Sequence, residues 1–294
     1  MVIALDEQQH VKETVLRVAQ YVRNAHVLLV AVGAGMGVDA GLPDYYGGIH
    51  LAHPRLAEMG LNIYDLSSHA LFEHNAALAW GHWITRQREY MSTPPHIGYY
   101  ILRDWSNNSQ RHMRVITTNL DRHFVRAGFA SDNIFEMHGS MYDAQCMHNC
   151  GTDPWPLDIT SMPAVDMKTM RLLGPSPLCV QCGGPARVCT ALATDGHWNA
   201  SHVEAARIRH ESFFRELLAE QVLTVLEIGC GTVMAKVRTE ATRIVEEHRL
   251  HGGRAAHIRI NLHQADIEPH QDNISLPLGA LEALRTINQL ISKC

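Results

Sequence analysis

Four runs of this chain are apolar almost from end to end, and segments with helical patterning separate them. They are HVLLVAV at 26–32, MRVITTN at 113–119, VLTVLEIG at 222–229 and AAHIRIN at 255–261. Runs without polar alternation belong to strands buried on both faces, the condition of a parallel sheet covered by helices. Parallel neighbours need crossovers, and right-handed crossovers put helices on both faces of an open sheet. The expected fold class is therefore α/β, a Rossmann-like open parallel sheet with helices on both faces. Ligands bind such sheets beyond the carboxyl ends of the strands. Here those ends read Gly33-Ala34-Gly35, Thr117-Thr118-Asn119, Gly229-Cys230-Gly231-Thr232 and Asn261, which makes them the candidate site.

The rest of the chain fits around that sheet. Val11, Val15, Val18, Ala19 and Val22 recur at spacings of three and four, so residues 7–25 are expected as an amphipathic helix. A final helix is expected in PLGALEALRTINQLI, and residues 50–92 read as a helical insertion or cofactor-loop region. Between 142 and 187 proline, glycine and cysteine dominate without a period, which marks a small inserted module. The sheet domain is then expected from 1–49, 93–141 and 188–294. With 46% hydrophobic and 19% charged residues, the composition of the 294-residue chain is that of a globular protein. A net charge of -5 gives nucleic acid no reason to bind. Neither a secretory signal nor a membrane span is visible, so no membrane partner is expected.

Seven cysteines, an odd number in a chain of this length, point to a reducing compartment and hence to the cytoplasm. Cys146 and Cys150 form C-x3-C, and Cys179 and Cys182 form C-x2-C followed by Gly183-Gly184. Two such pairs present four thiolates, which close a tetrahedral structural zinc site and leave no position open for catalysis. The alternative is unpaired buried cysteines. His148, inside the first pair, is a possible substitute ligand. Cys189, Cys230 and Cys294 are left over. The 20 histidines are scattered and form no zinc helix of the H-E-x-x-H kind.

The loop VGAGMGVDAGLPD at 32–44 follows the first strand, where glycines let backbone approach a pyrophosphate and a helix start offers N–H groups. Position 38 is Val, so the G-x-G-x-x-G fingerprint of hydride-transferring enzymes is incomplete. No acidic residue follows at the spacing of about 20 that the fingerprint requires. On residues alone, a tight turn without a ligand is the alternative reading of the loop. Asn119 and Asp121 read as a strand-ending turn, and His138 as a packing histidine.

The ordered set of segments is more specific than any one of them, and it resembles the sirtuins. Gly33-Ala-Gly-Met-Gly-Val-Asp-Ala-Gly-Leu-Pro-Asp44 is similar to that family's G-A-G-(I/M)-(S/G)-x-x-(S/A)-G-(I/L)-P-D loop. Thr117-Thr-Asn-Leu-Asp121, with Arg126-Ala-Gly128 after it, resembles (Q/S)-N-(I/V)-D and its downstream A-G. Glu136-Met-His-Gly-Ser140 is like E-x-H-G-S; the four cysteines, Glu227-Ile-Gly-Cys-Gly-Thr232 and Ile260-Asn261 follow in order. The resemblance covers roughly 15–290 and looks like that of a divergent, bacterial-like member.

The resemblance implies an NAD-dependent protein-lysine deacylase in which NAD is a co-substrate and Zn2+ is structural. An acyl-lysine carbonyl oxygen would attack the ribose as nicotinamide leaves, with His138 as general base on a ribose hydroxyl. A neutral imidazole of pKa ~6.5 suits that task. Asn119 and Asp121 would hold ribose and nicotinamide, with Asp44, Tyr45 and Thr118 nearby. Gly33, Ala34, Gly35, Gly229 and Thr232 would face the phosphates, and Asn261 the adenosine half.

Three positions depart from the family pattern. Tyr45-Tyr46 stand where an aromatic residue and Arg are usual, and a phenol cannot replace the guanidinium fork. Ala193 and Thr194 precede Asp195 where Phe-Gly is usual. Arg122 stands where glycine commonly follows N-I-D. Tyr46, Ala193 and Thr194 favour a second reading: NAD cleavage with water, a protein side chain or a small molecule as acceptor, that is, an NAD glycohydrolase or ADP-ribosyltransferase. A catalytically silent NAD-binding scaffold is the third. Oligomeric state is not legible.

Overall fold

A computed structural model of the protein describes residues 2–44, 54–107, 111–193 and 195–292. Tyr45, Tyr46, Thr194 and Cys294 lie outside the described residues. In chain order the strands are β1 (Val27–Val32), β2 (His112–Thr117), β3 (Ile134–Glu136), β4 (Gly139–Cys146), β5 (Trp155–Pro156) and β6 (Val165–Asp166). They continue with β7 (Arg171–Leu172), β8 (Ala186–Thr190), β9 (Leu223–Ile228), β10 (Ala255–Ile260) and β11 (Asn273–Leu276). The chain forms two compact units, one of Met1–Leu42, Pro95–Phe135 and Ala206–Cys294, the other of Pro43–Pro94 and Glu136–Ala205.

The first unit is built on a six-stranded sheet in the order β11-β10-β9-β1-β2-β3. Every pair from β11 across to β2 is parallel. From β1 the chain proceeds outward through β2 to β3, then resumes at β9 on the other side of β1. The order therefore reverses between β1 and β9, which opens a crevice past the carboxyl ends of those two strands. β1 and β9 are buried along their whole length, as their apolar runs require. The first helix, Val2–Asn24, buries Val15, Val18, Ala19 and Val22 with Val11 at the margin. That stripe shares its core with Ala283, Leu284 and Ile287 of the last helix, Ala280–Ile291. Fully burying a Val or Leu side chain is worth ~1.5–3 kcal/mol, so the stripe fixes both helices.

The second unit combines helices Pro54–Glu58, Ile63–Leu66, His69–His74 and Ala76–Ser92 with the antiparallel sheet β5-β4-β8 and the hairpin β6–β7. Asn62, Ser68 and Asn75 each accept a backbone N–H at a helix start, and Asn62 closes a capping box with Asp65. Side-chain caps in such quick succession explain why short helices follow one another here. The helical stretch and the cysteine module share one core, in which Leu56, Leu66 and Leu78 meet Met170. At Gly81 the long helix runs so close to the hairpin that a Cβ would collide with the Met170 carbonyl. Residues 50–92 and 142–187 thus belong to one unit whose limits lie somewhat outside both segments.

Candidate active site

In the first unit the chain leaves β1 and turns through Gly33 into a short 3-10 helix, Ala34–Ala40. This turn packs backbone to backbone on the one that follows β9. The Gly33 N–H donates to the Ile228 carbonyl and the Gly35 N–H to that of Gly229, both at 3.0 Å. A Cβ on Gly33 would lie 2.6 Å from the Gly229 oxygen, and one on Gly35 2.8 Å from the Gly229 Cα. Gly229 has φ +62°, the left-handed region, and a Cβ there would strike the Met36 amide. Glycine is thus demanded by the meeting of two strand ends. The amides of Gly33 and Gly35 are used on the carbonyls of Ile228, at the end of β9, and Gly229, in the turn after it.

The ends of β2 and β10 join the same place. The Asn119 carboxamide donates to the Gly33 carbonyl at 2.9 Å, and the Asn119 N–H is received by the Thr117 hydroxyl, which donates to Val32 O at 3.0 Å. Thr118 is half-buried between them. The Asn261 carboxamide donates to Cys230 O at 2.9 Å and accepts the N–H groups of His263 and Gln264 at 3.0 Å. The Thr232 N–H reaches the Gln264 side chain at 3.0 Å. Gly33, Asn119, Gly229, Thr232 and Asn261, read from separate segments of sequence, therefore belong to one bonded array, with Ala34 in its first turn.

Asp121 is 5% exposed and accepts the His123 N–H at 2.8 Å. Burial raises its carboxyl pKa above the ordinary value, against the opposing pull of His123 and Arg126. Arg122 takes φ +55°, a conformation that suits glycine and costs an L side chain ~1–2 kcal/mol. That is the physical content of the departure noted at this position.

In the second unit His138 is half-buried in the two-residue turn between β3 and β4. Its carbonyl accepts from the Thr190 hydroxyl at 2.6 Å and the Ala191 N–H at 2.9 Å, so β8 fixes its backbone. Gly139 follows at φ +74°, where a Cβ would lie 2.7 Å from the Cys189 oxygen, which accounts for glycine after the histidine. Asp44 is exposed near the beginning of this unit.

The thiols of Cys146, Cys150, Cys179 and Cys182 all lie within 4.8 Å of one another. The pairs Cys146–Cys182 and Cys150–Cys179 are 3.7 and 3.6 Å apart. A tetrahedron with Zn–S bonds of ~2.3 Å has edges of about 3.8 Å, so the four sulfurs fit that ion. Backbone N–H groups of Cys182 and Gln181 draw the Cys179 thiol down to about 7, whereas, against the Thr152 N–H, burial and the neighbouring thiols push Cys150 up to about 12, so it is a bound cation that would bring all four to thiolate. Left-handed Asn149, Gly151 and Gly183 shape the two turns that carry the cysteines.

Two anchoring positions beside the glycine turn escape a reading of the sequence. His96 accepts the Gly98 N–H on Nδ1 at 3.0 Å, so its proton sits on Nε2, which donates to Met36 O at 2.7 Å. Burial lowers its pKa and keeps it neutral, and it ties the turn after β1 to the helix Ile97–Ser106. Histidine is not a usual helix cap, so only the preceding Pro94-Pro95 hinted at a boundary. Asp39, within the glycine loop, accepts the Leu281 N–H at 2.9 Å at the start of the last helix.

The model of the family described as the Sir2 family matches residues 33–226, well over half of the chain. The chain belongs to the Sir2 family. Among curated relatives of this Sir2 protein, a probable bifunctional ADP-ribose hydrolase/ADP-ribosyltransferase of Fusarium oxysporum f. sp. cubense is 28% identical over 72% of the chain. An NAD-dependent protein deacylase 2 of Pseudomonas aeruginosa is 28% identical over 58% of it. The chain spans 36% and 61% of the length of these two relatives. The crystal structure of a Sir2 homolog–NAD complex superposes with a TM-score of 0.68 at 18% identity, covering 94% of this chain and 93% of the other. The Sir2 fold is thus shared over 94% of the chain. No described helix is long and apolar enough to cross a membrane.

Proposed function

We propose that this Sir2 protein is an NAD-dependent protein-lysine deacylase, which cleaves the nicotinamide–ribose bond and transfers the acyl group to ADP-ribose. The observation that carries the reading is the bonded array at the reversal point of the sheet, where the turns after β1 and β9 meet and Asn119 and Asn261 are anchored. Dinucleotides bind α/β sheets at such a reversal. Similarity to the Pseudomonas deacylase and to the Sir2–NAD complex supports it.

NAD as co-substrate supplies an activated glycosidic bond. Gly33, Ala34, Gly35, Gly229 and Thr232 are assigned to its diphosphate, at the place where the two strand-end turns meet. Asn261 is assigned to the adenosine half, and Asn119, Thr118 and Asp121 to the nicotinamide ribose, with Asp44 and Tyr45 assigned beside them. His138 removes a proton from a ribose hydroxyl, a task for an imidazole on a fixed backbone. Cys146, Cys150, Cys179 and Cys182 hold Zn2+ with no ligand position left for substrate. The reduced thiol set suits the cytoplasm.

The test is incubation with NAD and a panel of acyl-lysine peptides. Free nicotinamide together with O-acyl-ADP-ribose supports deacylation, and absence of nicotinamide defeats the reading. A second reading, transfer of ADP-ribose to water, to a protein side chain or to a small molecule, has its own support. Ala193, which stands where the family pattern has Phe-Gly, donates its N–H to Ser67 O at 2.6 Å, and the Fusarium relative is described as a probable ADP-ribosyltransferase. Nicotinamide release without peptide deacylation selects that reading.

A further inference from the structure

A parallel strand covered on both faces has no ordinary place for charge, yet β9 carries Glu227 with its side chain fully buried. Arg259, its register partner on β10, grips it with two bonds, Nε to Oε1 at 2.7 Å and Nη2 to Oε2 at 3.0 Å. Arg238, from the helix Lys236–Leu250, adds an ion pair at 3.1 Å, and His257 Nε2 lies 3.1 Å from Oε2. Although burial alone would raise the Glu227 pKa, the bonds from His257 and Arg259 hold it below the ordinary value, so the carboxylate is charged.

Both guanidiniums also reach outward to backbone. Arg238 donates twice to Cys230 O, at 3.1 and 2.7 Å, and once to Gln264 O at 2.5 Å. Arg259 donates to Asp266 O. Cys230 and Gln264 belong to the two turns that present Gly229, Thr232 and Asn261. One buried carboxylate therefore orients two cations, and these fasten the turn after β9 to the turn after β10.

We infer that Glu227, Arg238 and Arg259 are positioning residues for NAD: a buried clamp that holds the turns after β9 and β10 at the spacing the nucleotide requires. The inference rests on the NAD-dependent reading for its ligand, while the clamp itself is a property of the apo chain. A purely structural ion cluster would lower global stability without acting selectively on NAD.

The test uses the full chain carrying Arg238→Met, a change at the rim of the cluster that leaves Glu227 paired to Arg259. Amide hydrogen exchange in 229–234 and 261–266 should speed up by about tenfold or more, as expected for loss of charge-assisted bonds, with little change in the rest of the sheet. In steady-state nicotinamide release the KM for NAD should rise by about tenfold with kcat within about twofold. Arg238→Lys, a point charge without the fork, should fall between the two. If the folded variant keeps wild-type exchange in both turns, or exchanges faster at an unchanged KM for NAD, the inference is overturned. Should Arg238→Met fail to fold, Arg238→Lys decides by the same two readouts. A wild type without NAD turnover defeats the functional reading instead, and exchange still reports whether the clamp exists.

Discussion

His138 stands on a backbone held by Thr190 and Ala191, so the turn that bears it has anchors besides the imidazole. His138→Ala is expected to cut NAD-dependent turnover by ~10²–10⁴-fold, the usual worth of a general base, while zinc content and melting temperature stay near wild type. Turnover within a few-fold of wild type would remove this residue from the chemistry. Gly229 belongs to the opposite class. Its φ of +62° and its contact with the Met36 amide leave no room for a methyl group, so Gly229→Ala should destabilise the protein by about 2–3 kcal/mol or more. Chemical denaturation measures that loss. At this scale the sequence was a partial guide: it singled out glycines that the packing of two strand ends demands, but it suggested N–H groups offered to phosphate, whereas those of Gly33 and Gly35 are bonded to carbonyls of Ile228 and Gly229. Which amides remain for a ligand depends on a partner strand end far along the chain, and local spacing carries no such information.

Among the elements, β1, β2, β9 and β10 were legible because burial on both faces writes an uninterrupted apolar run. β3 and β11 are three and four residues long and show no such run, and the two-residue strands of the cysteine module have no period at all. The module is specified by its thiols. Purified protein should carry about one zinc per chain by elemental analysis, and Cys146→Ser should lower that content and the melting temperature together. Zinc-free wild type with an unchanged melting curve would contradict the assignment. The helix Lys236–Leu250 gives a pH prediction. Burial works to raise the Glu240 pKa, but hydrogen bonds from His210 and Arg243 overcome it and bring it from 4.5 to about 2. A depressed acid contributes stability that is present above its unfolded pKa and lost as pH falls toward the folded one. Glu240→Gln should therefore flatten the decline in stability between about pH 4.5 and 2. An acid limb identical to wild type would show that the pair contributes nothing.

For the molecule as a whole, NAD at about 100 times its Kd should stabilise the folded chain by ~2.7 kcal/mol through mass action, visible as a raised melting temperature. Nicotinamide alone, lacking the diphosphate, should give much less, and equal shifts would argue against the crevice at the reversal point. The sequence foretold an open sheet with inserted segments, but not that residues 50–92 and 142–187 share a core, because that contact rests on Gly81 and Met170, two residues without a pattern of their own. The reversal of strand order has a further consequence, in time. Thr117 joins Val32 across 85 positions, whereas Val222 joins His26 across 196. At ~5–20 residues per second on the ribosome, β1 waits roughly 10–40 s for β9. Until then its open side is a long apolar edge of the kind that pairs with other chains. The yield of soluble protein should thus be limited by how well a nascent chain is shielded over that interval, and slower synthesis should aggravate the loss.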